Sequence, residues 1–448
     1  MALVLPVPVA AQLIAPFPNV PLEIIPSVAL SERYNDNFFQ RSTNKIEEWR
    51  TTIAPSLDLG LTTTKSRSDL HYTLNVFHST ALDNNPHFQH FLNASSKIAL
   101  TERFSLLITE AFVQSDDPGI VNPGGVDNQV KLTRNDISAS LLYQGDQHSG
   151  WLKYTNSNID REFFQQTGNT ITTENSTTFK NHLNTVGAGG KLRVDPRTNI
   201  TGSENVTFGD FSESGSTTGQ TTSSFVVYET SLAAEREFAG ETRGGLSTTW
   251  TLRDPDVGEN VNLIKTAVTV TRPITSTISA SASLGYDFAV GGVDANEPSG
   301  SLTLTYLGNQ ISANLTFGQQ MQETFSSSQN VGLTRRRELV AGISYRPTDR
   351  VTLSTRGSIV QTKFFEPDVA FSQGIVLPTT SPRPTSTFYT FEAAINVVLS
   401  RIFSASLSYV HWRRDIADSN STLQSTSSFA LQDFSSNAVT LQLRARYE

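Results

Sequence analysis

ISASASLGYDF, residues Ile278–Phe288, alternates without a break. Ile278, Ala280, Ala282, Leu284, Tyr286 and Phe288 form one set; Ser279, Ser281, Ser283, Gly285 and Asp287 form the other. Successive side chains of a strand point to opposite faces, so this stretch reads as a strand with one apolar and one polar face. Across the turn Arg272–Thr275 its neighbour repeats the pattern, Ile264, Val268 and Val270 against Lys265, Ala267 and Thr269. Working outward, the same rule returns in Ile53–Leu61, Leu246–Leu252, Ile311–Phe317, Val351–Thr355, Phe403–Tyr409 and the closing run Val439–Tyr447.

Alternation describes either a half-buried soluble sheet or a membrane barrel wall, and connection lengths separate the two. Short turns recur near residues 64–68, 101–103, 144–149, 195–198, 235–241, 272–275, 307–310, 346–349 and 400–401. Between them lie polar stretches that read as long loops: Ser115–Gln129, Arg161–Thr173, Asp210–Thr221, Phe364–Pro384 and Arg414–Ser425. Outer-membrane barrels alternate in this way because periplasmic turns are tight and external loops long. The nine tight turns account for eighteen strands, and a first strand near Ser27–Tyr34 and a last near Asn437–Tyr447 bring the number to about twenty, within a range of 16 to 22. The expected fold is all-β: a single transmembrane antiparallel up-and-down β-barrel over residues 27–448. Its lumen would be too wide for side chains to fill.

Composition agrees. Of 448 residues only 17% are charged, and the polar remainder is visibly Ser, Thr, Asn and Gln, with 26 Phe and many β-branched residues that suit strands. A net charge of −8 gives a nucleic-acid partner no electrostatic support. The absence of cysteine excludes a disulfide scaffold, a thiolate metal site and a cysteine nucleophile. No stretch of 18 apolar residues occurs, which rules out a spanning helix and leaves a barrel open. Residues 1–26 are apolar but carry six prolines, and read as a signal remnant, with Val9-Ala10-Ala11 as a small-residue cleavage site, or as a disordered Pro-rich leader.

No catalytic, metal or cofactor constellation emerges. His87 and His90 face opposite sides of an extended strand, so they make no preformed metal clamp. Gly187-Ala188-Gly189-Gly190-Lys191 lacks the spacing of a phosphate loop and reads as glycines that let a strand bend or pack. What remains is the lumen. With the apolar set toward lipid, the opposite set carries Arg50, Asp58, Arg134, Asp136, Glu229, Arg243, Asp287, Arg336, Glu338, Arg356, Glu392, Arg444 and Arg446, the candidate pore-lining charges. Their mixed signs imply a wet lumen with a transverse field more than a strongly ion-selective pore. Trp49, Tyr228, Trp250, Phe317, Tyr345, Tyr389 and Phe391 are candidates for aromatic girdles on the lipid face. Of Arg335-Arg336-Arg337, only Arg336 is expected to point inward, and Phe364–Pro384 is the longest loop that could fold into the lumen.

Ser27–Phe39, SVALSERYNDNFF, is similar to the opening of the β-barrel porin-2 family of Gram-negative outer-membrane proteins. The turns Leu100-Thr101-Glu102-Arg103-Phe104 and Tyr345-Arg346-Pro347-Thr348-Asp349-Arg350-Val351 resemble that family as well. The resemblance implies an outer-membrane channel passing exopolysaccharide or small hydrophilic solutes, with outer-membrane lipid and periplasmic export components as partners and no cofactor. Glu448 after Tyr447 departs from the usual terminal aromatic residue. A structural or adhesive β-protein folding without lipid is the alternative from a different class.

Overall fold

The computed structural model describes residues 22–447 except 41, 83–84, 116–129, 168–169, 216–218, 257–258, 292–294, 326–329, 366–384 and 418–432. Twenty strands run in chain order. The first seven are β1 (Leu22–Asn35), β2 (Glu48–Thr62), β3 (Ser66–Ser79), β4 (His87–Ala99), β5 (Phe104–Ser115), β6 (Val130–Gln144) and β7 (His148–Thr167). There follow β8 (Thr170–Asp195), β9 (Thr198–Gly215), β10 (Gly219–Glu237), β11 (Arg243–Pro255), β12 (Val261–Pro273), β13 (Ile278–Gly291) and β14 (Ala295–Leu307). The last six are β15 (Ile311–Phe325), β16 (Asn330–Thr348), β17 (Val351–Phe364), β18 (Thr385–Val398), β19 (Phe403–Ala417) and β20 (Phe434–Arg446). Each pairs antiparallel with the next, and β1 pairs with β20 from Ser27↔Arg446 to Asn35↔Ala438. The cylinder is closed.

All nine tight turns fall where the sequence places them, at the end that holds Leu22 and Arg446. Their chemistry repeats. A hydroxyl at the start of the turn accepts two backbone N–H groups that the ladder leaves over: Thr63 from Lys65 and Ser66, Thr101 from Arg103 and Phe104, Thr275 from Thr277 and Ile278, Ser400 from Ile402 and Phe403. This is the side-chain turn by which Ser and Thr compete with regular structure.

The register divides every strand into two sets. One holds the exposed apolar side chains, among them Leu30, Ile53, Leu152, Leu246, Leu284 (78% exposed), Phe317 and Leu441. Trp49, Tyr228, Trp250, Phe317, Tyr345 and Phe391 lie exposed on it, and Tyr389 belongs to the same set. In water each large apolar side chain left out would forfeit about 1.5–3 kcal/mol. The lipid-free alternative required these groups to meet across a second layer, and they do not. The other set lines the concave side and is mostly Ser, Thr, Asn, Gly and charge.

Some expected details change. β1 begins at Leu22, five residues ahead of the expected start at Ser27, with Pro26 inside it. Arg161–Thr173 and Asp210–Thr221 are not loops: β7 continues to Thr167, β8 starts at Thr170, β9 reaches Gly215 and β10 starts at Gly219. Above the membrane both faces of a hairpin meet water, so strands continue there without the alternation that marks them lower down. Ser115–Gln129 and Phe364–Pro384 fall, apart from their ends, outside the described residues; of Arg414–Ser425 the first four residues belong to β19 instead of a loop, and the rest falls outside the described residues.

Two segments enter the lumen. After β1 the chain turns inward at residues 36–40, burying Asn37, Phe38 and Phe39. It also clasps the closing strand: Asp36 accepts hydrogen bonds from the Asn437 backbone and side chain, both at 2.6 Å, Asn37 Nδ2 donates to Ser435 O at 2.9 Å, and Ser436 Oγ donates to Asn35 Oδ1 at 2.8 Å. Farther round, β14 and β15 stay paired only up to Gly300↔Gln319. Above that split, Met321 and Leu333, of the outward set, and Phe365 are buried with Leu263, Ala289 and Ala295 of the inner set of β12–β14. The tops of β15–β17 therefore lean into the barrel, over the inner face of their neighbours.

Asn37→Ala is expected to destabilise the barrel by about 1–3 kcal/mol, because Asn37 is buried and its loss strips partners from the seam. The check is the temperature at which the compact form, run unheated on a gel, converts to the slower unfolded band; it falls in the variant.

Candidate functional site

The inner wall is the surface on which this fold can act. All thirteen candidate charges lie on the inner set of the register, although they do not converge on one centre. Near the clasp, Arg50 donates to Glu48 at 2.8 Å, and both are buried, at 5% and 0% exposure. Ser79 Oγ donates to the same Glu48 oxygen at 2.6 Å, and the Arg50 guanidinium lies 4.3 Å from the Phe77 ring centre and 5.3 Å from that of Phe38. A buried pair is tolerable only with such additional partners. The inward turn of residues 36–40 rests on this pair, so Arg50 serves the constriction it underlies.

Toward the turn end a recess of about 530 Å³ opens between β1–β7 and β20, lined by Glu23, Asp58, Asp69, His71, Asp136 and Arg446 among others. The His71 ring bonds Asp58 through Nδ1 and Thr73 through Nε2, while Arg446 stands 4.0 Å from the other Asp58 oxygen. Arg444 donates to Ser27 Oγ at 3.1 Å. Arg134 Nε donates to Asp136 Oδ2 at 2.6 Å, and Ser157 Oγ donates to Asp136 Oδ1.

Across the lumen, Asp287 is buried and accepts the Met321 backbone N–H at 2.8 Å, which ties the leaning β15 to the wall. Arg336 bonds Glu338 at 2.9 Å, lining a second recess of about 290 Å³ with Asp287 and Lys265. Glu229 accepts from Asn205 Nδ2 at 3.3 Å, Arg243 lies 3.8 Å from Glu237, and Arg356 stands opposite Glu392 in the register. Arg335 departs from expectation. It belongs to the outward set, yet it pairs with inner-set Glu297 at 2.8 Å, because β16 leans over β14. No local pattern in the sequence marks that contact.

Aromatics on the inner wall escape a reading based on alternation. Trp151 lies opposite Leu142 and Gly189 on the inner set, and Trp412 opposite Thr390 and Ser436. Gly189 now has a reason, since a Cβ there would meet the Trp151 indole at 2.7 Å; at Gly187 it would run first into Asn205 Oδ1 and then into the indole at 3.1 Å. The indole lies over glycine backbone. Among the described residues no group of His, Asp and Glu is arranged to hold a metal ion.

A closed antiparallel cylinder with an exposed apolar belt and a polar inner wall is a β-barrel of the Gram-negative outer membrane. Solved structures agree on the fold. The chain is similar to the ferric enterobactin receptor PfeA of Pseudomonas aeruginosa, with a TM-score of 0.56 and 9% identity over 95% of this chain and 80% of that one. It is similar also to the FrpB iron transporter of Neisseria meningitidis, with a TM-score of 0.53 and 9% identity over 94% and 82% of the two chains. The ferric citrate transporter FecA matches with a TM-score of 0.54 and 12% identity over 95% and 79%. No family model matches the chain, and no curated protein does.

Gly189→Ala is expected to cost about 1–3 kcal/mol by driving a methyl group into the indole. Trp151→Ala in the same chain restores part of the loss, which a double-mutant cycle on urea unfolding from detergent micelles measures as a coupling between the two sites.

Proposed function

We propose that the protein is a non-enzymatic outer-membrane channel whose polar inner wall conducts hydrophilic solutes. One observation carries this reading: the inner set carries solvated charges from the turn end upward, Glu23, Asp58, Arg134 and Arg336 among them, while the belt outside is apolar. A wall that enclosed no water would leave these groups desolvated at a cost no packing offsets. The clasp and the leaning β15–β17 narrow the passage without contributing a catalytic constellation. Mixed charges, most of them already paired, favour a wet path over strong ion selectivity.

Within that reading an oligosaccharide or exported polysaccharide is the finer proposal. It rests on the resemblance of Ser27–Phe39 to the β-barrel porin-2 family and on wall chemistry suited to sugars. Ser, Thr and Asn offer exchangeable hydrogen bonds, and Trp151 and Trp412 offer ring faces. The siderophores and iron of the similar receptors are not carried over, since likeness at 8–12% identity speaks for fold alone.

The purified barrel, folded in detergent and inserted into planar bilayers, is expected to give stepwise open-channel conductance. Soluble oligosaccharides added to the chamber should interrupt the current transiently. A folded barrel without conductance steps overturns the channel reading. Steady current that no oligosaccharide perturbs removes the sugar proposal and leaves small-solute diffusion.

A further inference from the structure

We propose that Arg134 and Arg161 form an oxyanion-binding station on the inner wall, above the membrane belt, that recognises the carboxylate or phosphate of a passing solute. On β7 the belt ends at Tyr154, whose hydroxyl donates to Asn184 at 2.8 Å, and beyond it the outward set turns polar with Asn156 and Asn158. Arg161 lies farther up on the inner set. In the register Leu132 faces Arg161 and Arg134 faces Ile159, so the two arginines are diagonal neighbours on one face. Such a diagonal spans about 7–8 Å between backbones, within reach of two long side chains.

The two cations differ in their partners. Arg134 holds Asp136, which Ser157 also engages. Arg161 is half-buried, flanked in the register by Leu132 on β6 and Phe179 on β8, both buried with Val113 and Ile159 around them. Its Nε and Nη1 are sealed from solvent and have no hydrogen-bond partner among the described residues. The charge nearest enough to act on it is that of Arg134, which repels it. The carboxylates beside it in sequence, Asp160 and Glu162, belong to the outward set, opposite Thr133 and Lys131. A guanidinium so placed carries an unmet demand for acceptor oxygens. Guanidiniums match carboxylate and phosphate with paired N–H groups, and low surrounding polarity strengthens the bond. An oxyanion between the two arginines would satisfy Arg161 and screen the repulsion together.

The proposal takes its role in transport from the channel reading, but the site itself does not depend on conductance, and the test keeps the two apart. Inorganic phosphate is titrated by calorimetry at low ionic strength into the full-length barrel in detergent, each variant being checked for heat-modifiable mobility. Saturable binding is expected, weakened about ten- to a hundredfold in Arg161→Gln and in Arg134→Gln, less in Arg161→Lys, and unchanged in Arg236→Gln on the outward set. Phosphate binding in a barrel that does not conduct upholds the station and removes its place in transport. No saturable binding in a conducting barrel, or binding indifferent to both glutamine variants, overturns it.

Discussion

Closure is the constraint on which the rest of this structure depends. In hydrocarbon no water is available to satisfy a backbone N–H or C=O, so an open sheet edge would carry a row of unmet groups. The ladder between β1 and β20 removes that edge, and it joins the first and last strands, whose loop closure is the longest in the barrel. The seam needs more than backbone bonds. The clasp of Asn35, Asp36 and Asn37 on Ser435, Ser436 and Asn437 adds side-chain bonds at the one junction that no turn enforces. The same residues, continuing into Phe38 and Phe39, put the first obstruction into the lumen. Sealing the wall and narrowing the lumen are thus one device.

Closure also explains what could be read in the sequence. Below the rim each strand has hydrocarbon on one side and water on the other, so its residues must alternate, as Ile278–Phe288 does. At several tight turns a hydroxyl or carboxylate absorbs leftover N–H groups, hence Thr63, Thr101, Asp195 and Thr275 at those places. Strand number, direction and the inward set followed from these two signals. Above the rim the environments on the two faces become alike and the signal fades. The upper ends of β7–β10, within Arg161–Thr173 and Asp210–Thr221, read as loops for that reason although the described residues there are paired strands.

What could not be read is what depends on contacts between distant strands. The split above Gly300 and Gln319, and the burial of Met321 against Leu263 and Ala289, require knowing that the outward face of one strand meets the inward face of another. Arg335 illustrates the consequence: parity assigns it to the outside, and Glu297 holds it inside. Trp151 is a gentler case. Gly189 marks a close approach, but nothing local identifies an indole from the preceding strand as the group that approaches.

The charged residues of the wall divide by how they are held. Glu48–Arg50 and Asp287 are buried and engaged in fixing the two intruding segments, so they serve geometry before electrostatics. Arg336–Glu338 is a half-exposed pair whose two charges largely offset one another, whereas Arg134, although it holds Asp136, still acts on Arg161. A residue that lacks a counterion can still discriminate between solutes, because its field is not cancelled locally. If the proposed channel discriminates between solutes, that criterion assigns the discrimination to the few groups left over after pairing, and the count of positive and negative side chains along the wall says little about it.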